Sequence, residues 1–308
     1  MAHGTGAKTS AAATVLPLAH AALPAHTPNR GPFGGRDIPV GILTCLVIFA
    51  LIVLAAVFAP LVAPHDPLEQ SLLLRNKPPA WMPGAAPTYL LGTDNLGYDL
   101  FSRILYGARV SLGIGFLAAV INAVIGTALG LVAGFVRGPV DGLIMLLADA
   151  ELATPFIVIA IAAIAAFGKG IPVLIVLAGV SSWMLFARTI RSSVLSLRER
   201  EFVMAARAVG ATETRVALRH LLPNLGSILL VLVTVSLRNL ILFEASLSFL
   251  GLGVQPPQAS WGSMIDRGRE YLGTAWWISV WPGAALMLTI LVVSLIGDWL
   301  SDALNPSH

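Results

Sequence analysis

Six stretches of this chain are long, unbroken and apolar, and that pattern excludes most soluble folds. They cover residues 38–60, 110–135, 141–167, 171–190, 224–249 and 276–299. A bilayer core of about 30 Å is crossed by roughly 20 apolar residues in helical conformation. Inside hydrocarbon every backbone N–H and C=O must be satisfied within the protein, so only helices and closed barrels span it. Barrel strands alternate in polarity over roughly ten residues, whereas these runs are continuous. The runs therefore predict an all-α integral membrane protein with six transmembrane helices. Charge agrees, because only 11% of the 308 residues are charged, against about 25% in soluble domains.

The spans organise the rest. Residues 1–37, rich in Ala, Pro, Gly and Thr, carry no packable pattern and are expected to form a disordered cytoplasmic tail. Ala11 to Ala25 does not read as a signal peptide, because it has little basic flank and contains Pro17, His20 and Pro24. Residues 38–60 form the first transmembrane helix, and 61–109 an extracytoplasmic loop too long for a simple connector. Residues 110–305 form a five-helix core with a charged loop over 191–223. Gly168, Lys169 and Gly170 make a tight turn between the third and fourth spans. Gly126, Gly130 and Gly134 recur every four residues on one face of the second span, where small residues let two helices approach closely.

Orientation follows from Lys and Arg, which concentrate on the cytoplasmic side. With the N-terminus inside, eleven of the 19 lie there and seven outside, with Arg238 left within a span. Seven of the eleven fall between Arg188 and Arg219. Both termini are expected to be cytoplasmic.

That basic segment holds the one sizeable inward loop, SVLSLREREFVMAARAVGATETRVALRHLLPN, residues 193–224. Phe202, Ala205, Ala206 and Val209 recur at helical spacing and predict a small apolar face. Gly210 follows as a C′ glycine would, and Thr212 opens a second helix that runs into Pro223. Two readings compete: an interfacial helix lying on lipid, and a helix docked in a groove of another protein. Ala205 and Ala206 favour the groove, because lipid-surface helices usually present larger apolar side chains.

Four ionisable residues fall inside apolar runs: Asp149, Glu151, Arg238 and Glu244. Each such charge costs about 2.5–3.5 kcal/mol at a helix centre, so it should face the bundle interior or a wet path. Asp149, Arg238 and Glu244 are candidates for a translocation path, and a structural ion pair of Arg238 with a neighbouring acid is the plainer reading. Trp276, Trp277 and Trp281 are expected in an interfacial belt. In the outer loop, Asp94, Tyr98 and Asp99 are candidates either for docking a partner or for packing. The six histidines show no ligand spacing, Cys45 stands alone, and no G-x-x-x-x-G-K-[ST] loop exists to cradle a nucleotide.

The segment MAARAVGATETRVALRHLLP resembles the EAA loop of permease subunits from binding-protein-dependent ABC importers. Ala205, Ala206, Gly210, Leu222 and Pro223 fall in register, while Met204 replaces the usual Glu and His220 the usual Ile. LGTDNLGYDLFSRILYGARVSL (91–112) and ILFEASLSFLGLGVQPPQASWG (241–262) are similar to the dipeptide/oligopeptide/nickel subfamily, in its C-type member. Tyr98 stands where an Arg is usual. The resemblance spans roughly residues 38–305. It implies the type I, MetI-like permease fold in a bacterial cell membrane. It also implies a homologous permease as partner, two ATP-binding subunits that hold ATP and Mg, and an extracytoplasmic substrate-binding protein. No nucleic acid and no cofactor of the chain's own are expected. Arg200, Glu201, Ala205, Ala206, Arg207, Gly210, Leu222 and Pro223 would form the ATPase-coupling segment. The cargo implied is a di- or oligopeptide, with nickel chelates or glutathione-like compounds as alternatives. A proton-coupled secondary transporter using Asp149, Glu151 or Glu244 is the rival class; it predicts inverted repeats, and none is visible.

Overall fold

The computed structural model describes residues 38–304, so the expected tail over 1–37 and residue 305 onward lie outside the described residues. Among those described, all regular structure is helical apart from one isolated bridge between Thr93 and Asp99. Helix α1, Val40–Val57, is 18 residues long, or about 27 Å at about 1.5 Å per residue. Leu43, Val47, Leu51 and Leu54 form its exposed stripe, while Cys45 and Ala56 are buried on the opposite face. That division suits a span with lipid on one side.

Helix α2, Leu100–Val136, runs for 37 residues and begins well before residue 110, where the apolar run starts. Asp99 starts it: its carboxylate accepts from the Ser102 N–H at 3.0 Å and the Ser102 hydroxyl at 2.6 Å. An Asp in that position satisfies amide donors that a helix start leaves free. The outer loop therefore ends at Asp99, and its last ten predicted residues are helix.

The third predicted span is not one helix. Helix α3, Gly138–Ala153, and helix α4, Phe156–Phe167, meet at an 89° bend. Pro155 disfavours helical backbone at the residue before it, and Thr154 is extended at φ −103°, ψ 124°. The broken pair can count as one span; otherwise five helices are long and apolar enough to cross.

The fourth span is longer than predicted, Ile171–Leu197. It comprises α5, Ile171–Gly179, and α6, Trp183–Leu197. Asn122 of α2 mends the interruption. Its amide donates to the Ala178 carbonyl at 2.9 Å and accepts from the Ser182 N–H at 3.1 Å. The side chain is wholly buried, so both interactions replace backbone bonds that the break removes.

The glycine stripe packs α2 against α6, as its spacing predicts. A Cβ on Gly130 would sit 2.6 Å from the Ala187 carbonyl oxygen, and one on Gly134 would sit 2.8 Å from Val194 Cγ1. Helix α7, Glu201–Ala208, lies in the 191–223 loop. Helix α8, Gly226–Phe249, and helix α10, Trp277–Leu304, complete the spans, with the short α9, Trp261–Gly268, between them.

Candidate functional site

The 191–223 segment forms a short lever fixed to two spans. Val203 of α7 is fully buried, packed with Ile190 and Val194 of α6 and with Val216, Leu221 and Leu225 ahead of α8. Ala206 turns inward beside it. The predicted apolar face is thus divided: Phe202, Ala205 and Val209 stay exposed, joined by Met204. Sequence periodicity locates an apolar stripe but not the direction in which a neighbour lies, and Val203 supplies that direction.

Gly210 closes α7 with φ +89°. The Ala211 N–H donates to the Ala206 carbonyl at 3.0 Å and the Gly210 N–H to the Arg207 carbonyl at 2.9 Å. This is the paired cap that a left-handed C′ residue provides. Thr212 then caps Glu213–Val216 by accepting from the Arg215 N–H at 3.4 Å, and Arg207 bridges to Glu213 at 2.9 Å. A π turn, Ala217–Leu221, precedes Pro223, whose missing N–H interrupts the α ladder. Arg200 and Glu201 at the start of the lever, and Pro223 at its end, are exposed, while Leu222 is half-buried.

Arginines around the lever clamp it to the bundle. Arg198 donates to the carbonyls of Gly134 and Phe135 at 3.2 and 3.5 Å, the favourable place for a cation at a helix C-terminus. Arg191 donates to Asp141 at 2.6 Å, and Arg137 meets Glu199 at 3.4 Å.

The expected path residues share no partner. Asp149 pairs with Arg188 at an exposed position. Arg238 pairs with no carboxylate among the described residues, contrary to the expected ion pair; it donates to Asn239 at 3.3 Å and Ser294 at 3.5 Å. Glu151 is half-buried, and neither carboxylate oxygen has a partner among the described residues. Glu244 is 0% exposed. It accepts from Ser111 of α2 at 2.9 Å and Ser248 at 2.7 Å. Ser111 in turn accepts from the Trp261 N–H at 3.2 Å, so the carboxylate ties α9 to two spans. As the chain stands, Glu244 is sealed from any path.

At the opposite end, the outer loop folds as a cap. Asp94 and Asp99 are 5% and 1% exposed, which favours the packing alternative over docking for both carboxylates. Asp99 starts α2, and Asp94 accepts from the Leu96 and Tyr98 N–H groups at 2.9 and 3.0 Å. Burial pushes the Asp94 carboxyl above the usual range, opposed by the nearby Arg103 guanidinium. The Tyr98 ring lies 4.2 Å from that guanidinium and faces inward on it. Trp277 is also buried, donating to the Thr93 carbonyl at 3.2 Å, and so does not belong to the expected belt. Trp261, which the sequence reading left without a role, donates to the Ile104 carbonyl at 3.1 Å.

Residues 126–307 match the family described as the binding-protein-dependent transport system inner membrane component. This chain belongs to that family. Residues 42–79 match the N-terminal transmembrane domain of oligopeptide transport permease C, which identifies it as a C-type permease subunit. The di/tripeptide transport system permease protein DppC of Pseudomonas aeruginosa is 41% identical over 278 residues, 90% of this chain and 88% of the relative. A putative peptide transport system permease protein of Brucella suis is 43% identical, covering 85% and 86%. The dipeptide permease DppC of Escherichia coli is 40% identical, covering 86% and 89%. Among solved structures, a chain of the inward-facing MetNI methionine ABC transporter superposes with TM-score 0.55 at 19% identity. That match covers 67% of this chain and 98% of the other, and it establishes the shared MetI-like fold.

Proposed function

We propose that this chain is half of the membrane pathway of an ATP-driven importer of short peptides, with both termini and the lever on the cytoplasmic side. A homologous permease forms the other half. Two ATP-binding subunits, which carry ATP and Mg, seat on the lever, and a peptide-binding protein delivers cargo at the cap. The observation that carries this reading is the construction of α7. Its inner side is locked to two spans through Val203, while Phe202, Met204 and Val209 stand exposed at 40%, 54% and 89%. A partner that grips such a face moves the spans with it, as rigid-body switching requires. The peptide names of relatives at about 40% identity supply the cargo class.

The test is uptake into proteoliposomes. The complete assembly with its binding protein should accumulate a dipeptide only when ATP is supplied to the lever side. The purified chain alone, under a proton gradient, should accumulate none. Proton-driven uptake without ATPase subunits would defeat the proposal in favour of the secondary-transporter reading.

A further inference from the structure

The cap holds one charge that its own structure does not satisfy. Arg103, in the first turn of α2, is 1% exposed, and none of its three guanidinium nitrogens has a hydrogen-bond partner among the described residues. It stacks on the Tyr98 ring, 4.2 Å from the ring centre, with the Tyr98 hydroxyl its nearest neutral polar neighbour. Asp94, nearby across a cavity of about 10 Å³, is shared with Arg267 and already accepts from two backbone N–H groups. Asp99 commits Oδ2 to Ser102 and makes no salt bridge to Arg103 among the described residues, and Asp266 lies 3.4 Å from Arg269. Buried charges are ordinarily paired, so a guanidinium with free donors marks a place where an anion is wanted.

Arg103 also lines a second cavity, of about 300 Å³, between the outer turns of α2 and the loop before α9. Its walls include Tyr106, Val110 and Pro257, its rim carries Gln258, and Arg109 supplies a second guanidinium. Arg109 and Gln258 are exposed, so the cavity opens outward. An apolar chamber of that size with cationic groups suits a small molecule that has an apolar body and a carboxylate end. A guanidinium fork engages such a carboxylate with two parallel hydrogen bonds.

We propose that this pocket is a binding subsite for the C-terminal carboxylate of a short peptide, with Arg103 and Arg109 as its cationic partners. The anion-binding character stands on the geometry alone; its assignment to a peptide rests on the importer reading above. The height of Arg103 along α2 argues against a lipid phosphate at its guanidinium, whereas Arg109, one residue from the apolar run, lies at headgroup depth, where the lipid arm of the test below decides. The apolar run begins near residue 110, which puts Arg103 about 10 Å beyond the hydrocarbon edge at about 1.5 Å per residue. The headgroup layer is only about 5–8 Å deep.

Labelling tests this directly. In the complete importer, held in nanodiscs of neutral lipid, Gln258→Cys is alkylated with a water-soluble maleimide in the presence of alanyl-phenylalanine or its C-terminal amide. The free acid should protect the cysteine. The amide should need at least about tenfold more, the usual scale for losing one charge-assisted contact. Arg103→Gln should weaken protection by the acid to a similar degree. Because that buried substitution can disturb folding, the exposed Arg109→Gln is measured beside it and should also weaken protection. Equal protection by acid and amide, no protection by either, or protection that appears only with phosphatidylglycerol in the disc would overturn the subsite. ATP-driven uptake of the same peptide by the same complex separates the two levels. Uptake without protection sinks the pocket and leaves the importer reading standing, and protection without uptake does the reverse.

Discussion

Gly210 is the position where a single substitution should disconnect the lever without disturbing the spans. Its backbone is left-handed, at φ +89°, and its N–H donates to the Arg207 carbonyl at 2.9 Å. Nothing lies within 4 Å of a Cβ built there, so any cost of a side chain is conformational and not steric. For an L-residue that cost is about 1–2 kcal/mol, which is a factor of about 5–30 in the population of the capped state. Asn tolerates the left-handed region better than Ala. Proline cannot adopt it at all, and also deletes the N–H. The expected series for ATP-binding subunits recovered per tagged permease is therefore Gly, then Asn, then Ala, with Pro near zero. Insertion is read separately, from membrane levels of the chain and the accessibility of a cysteine placed in the cap, and should not change. If Gly210→Pro retains its ATPases and still drives uptake, the lever does not carry the coupling.

Two further substitutions probe how the bundle is held. Gly130→Val should lower the detergent melting temperature, since a Cβ meets the Ala187 carbonyl at 2.6 Å and Ile190 Cβ at 2.9 Å; overpacking of this kind costs about 1–3 kcal/mol. Gly142→Val, with nothing within 4 Å of its Cβ, is the control, and equal melting of the two variants would contradict the seam. Asn122→Leu should strand the Ser182 N–H, at about 1–3 kcal/mol, while the Ala178 carbonyl keeps the Ser181 hydroxyl at 2.8 Å. Faster amide exchange at Ser182 is the expected signature, and unchanged exchange there would mean that Asn122 does not mend the break.

The spans were legible because the apolar-run signal needs no tertiary knowledge: hydrocarbon thickness fixes the length, and the residues supply it. What failed were their interiors and ends. Pro155, inside the run 141–167, was the available mark of the 89° bend, and a length criterion alone passes over it. The start of α2 was also written locally, in Asp99 and Ser102, as an N-cap pattern that an apolar count cannot register. Asn122 is a different case. Its role depends on a carbonyl 56 residues away, and no local pattern announces that. The same holds for Glu244, where a buried acid could have been a path residue, an ion pair or a staple. Only the convergence of Ser111 and Ser248 on it decides for the staple.

Charge was a weak guide to the site. Of the arginines crowded between Arg188 and Arg219, Arg188, Arg191, Arg198 and Arg207 engage acids or carbonyls of this same chain. A basic loop is therefore no evidence by itself of a partner. The informative residues on the lever are apolar and exposed. Burying a side chain such as Phe, Met or Val is worth about 1.5–3 kcal/mol. Phe202, Met204 and Val209 are exposed beside the equally exposed Arg200, Glu201 and Glu213. At about 100° per residue Phe202 and Met204 flank the buried Val203 on opposite sides of α7, so a partner reaching both would have to clasp the helix around its exposed half. Val203 makes that arrangement mechanical, because the same short helix that offers the outer face has its inner face locked into the spans.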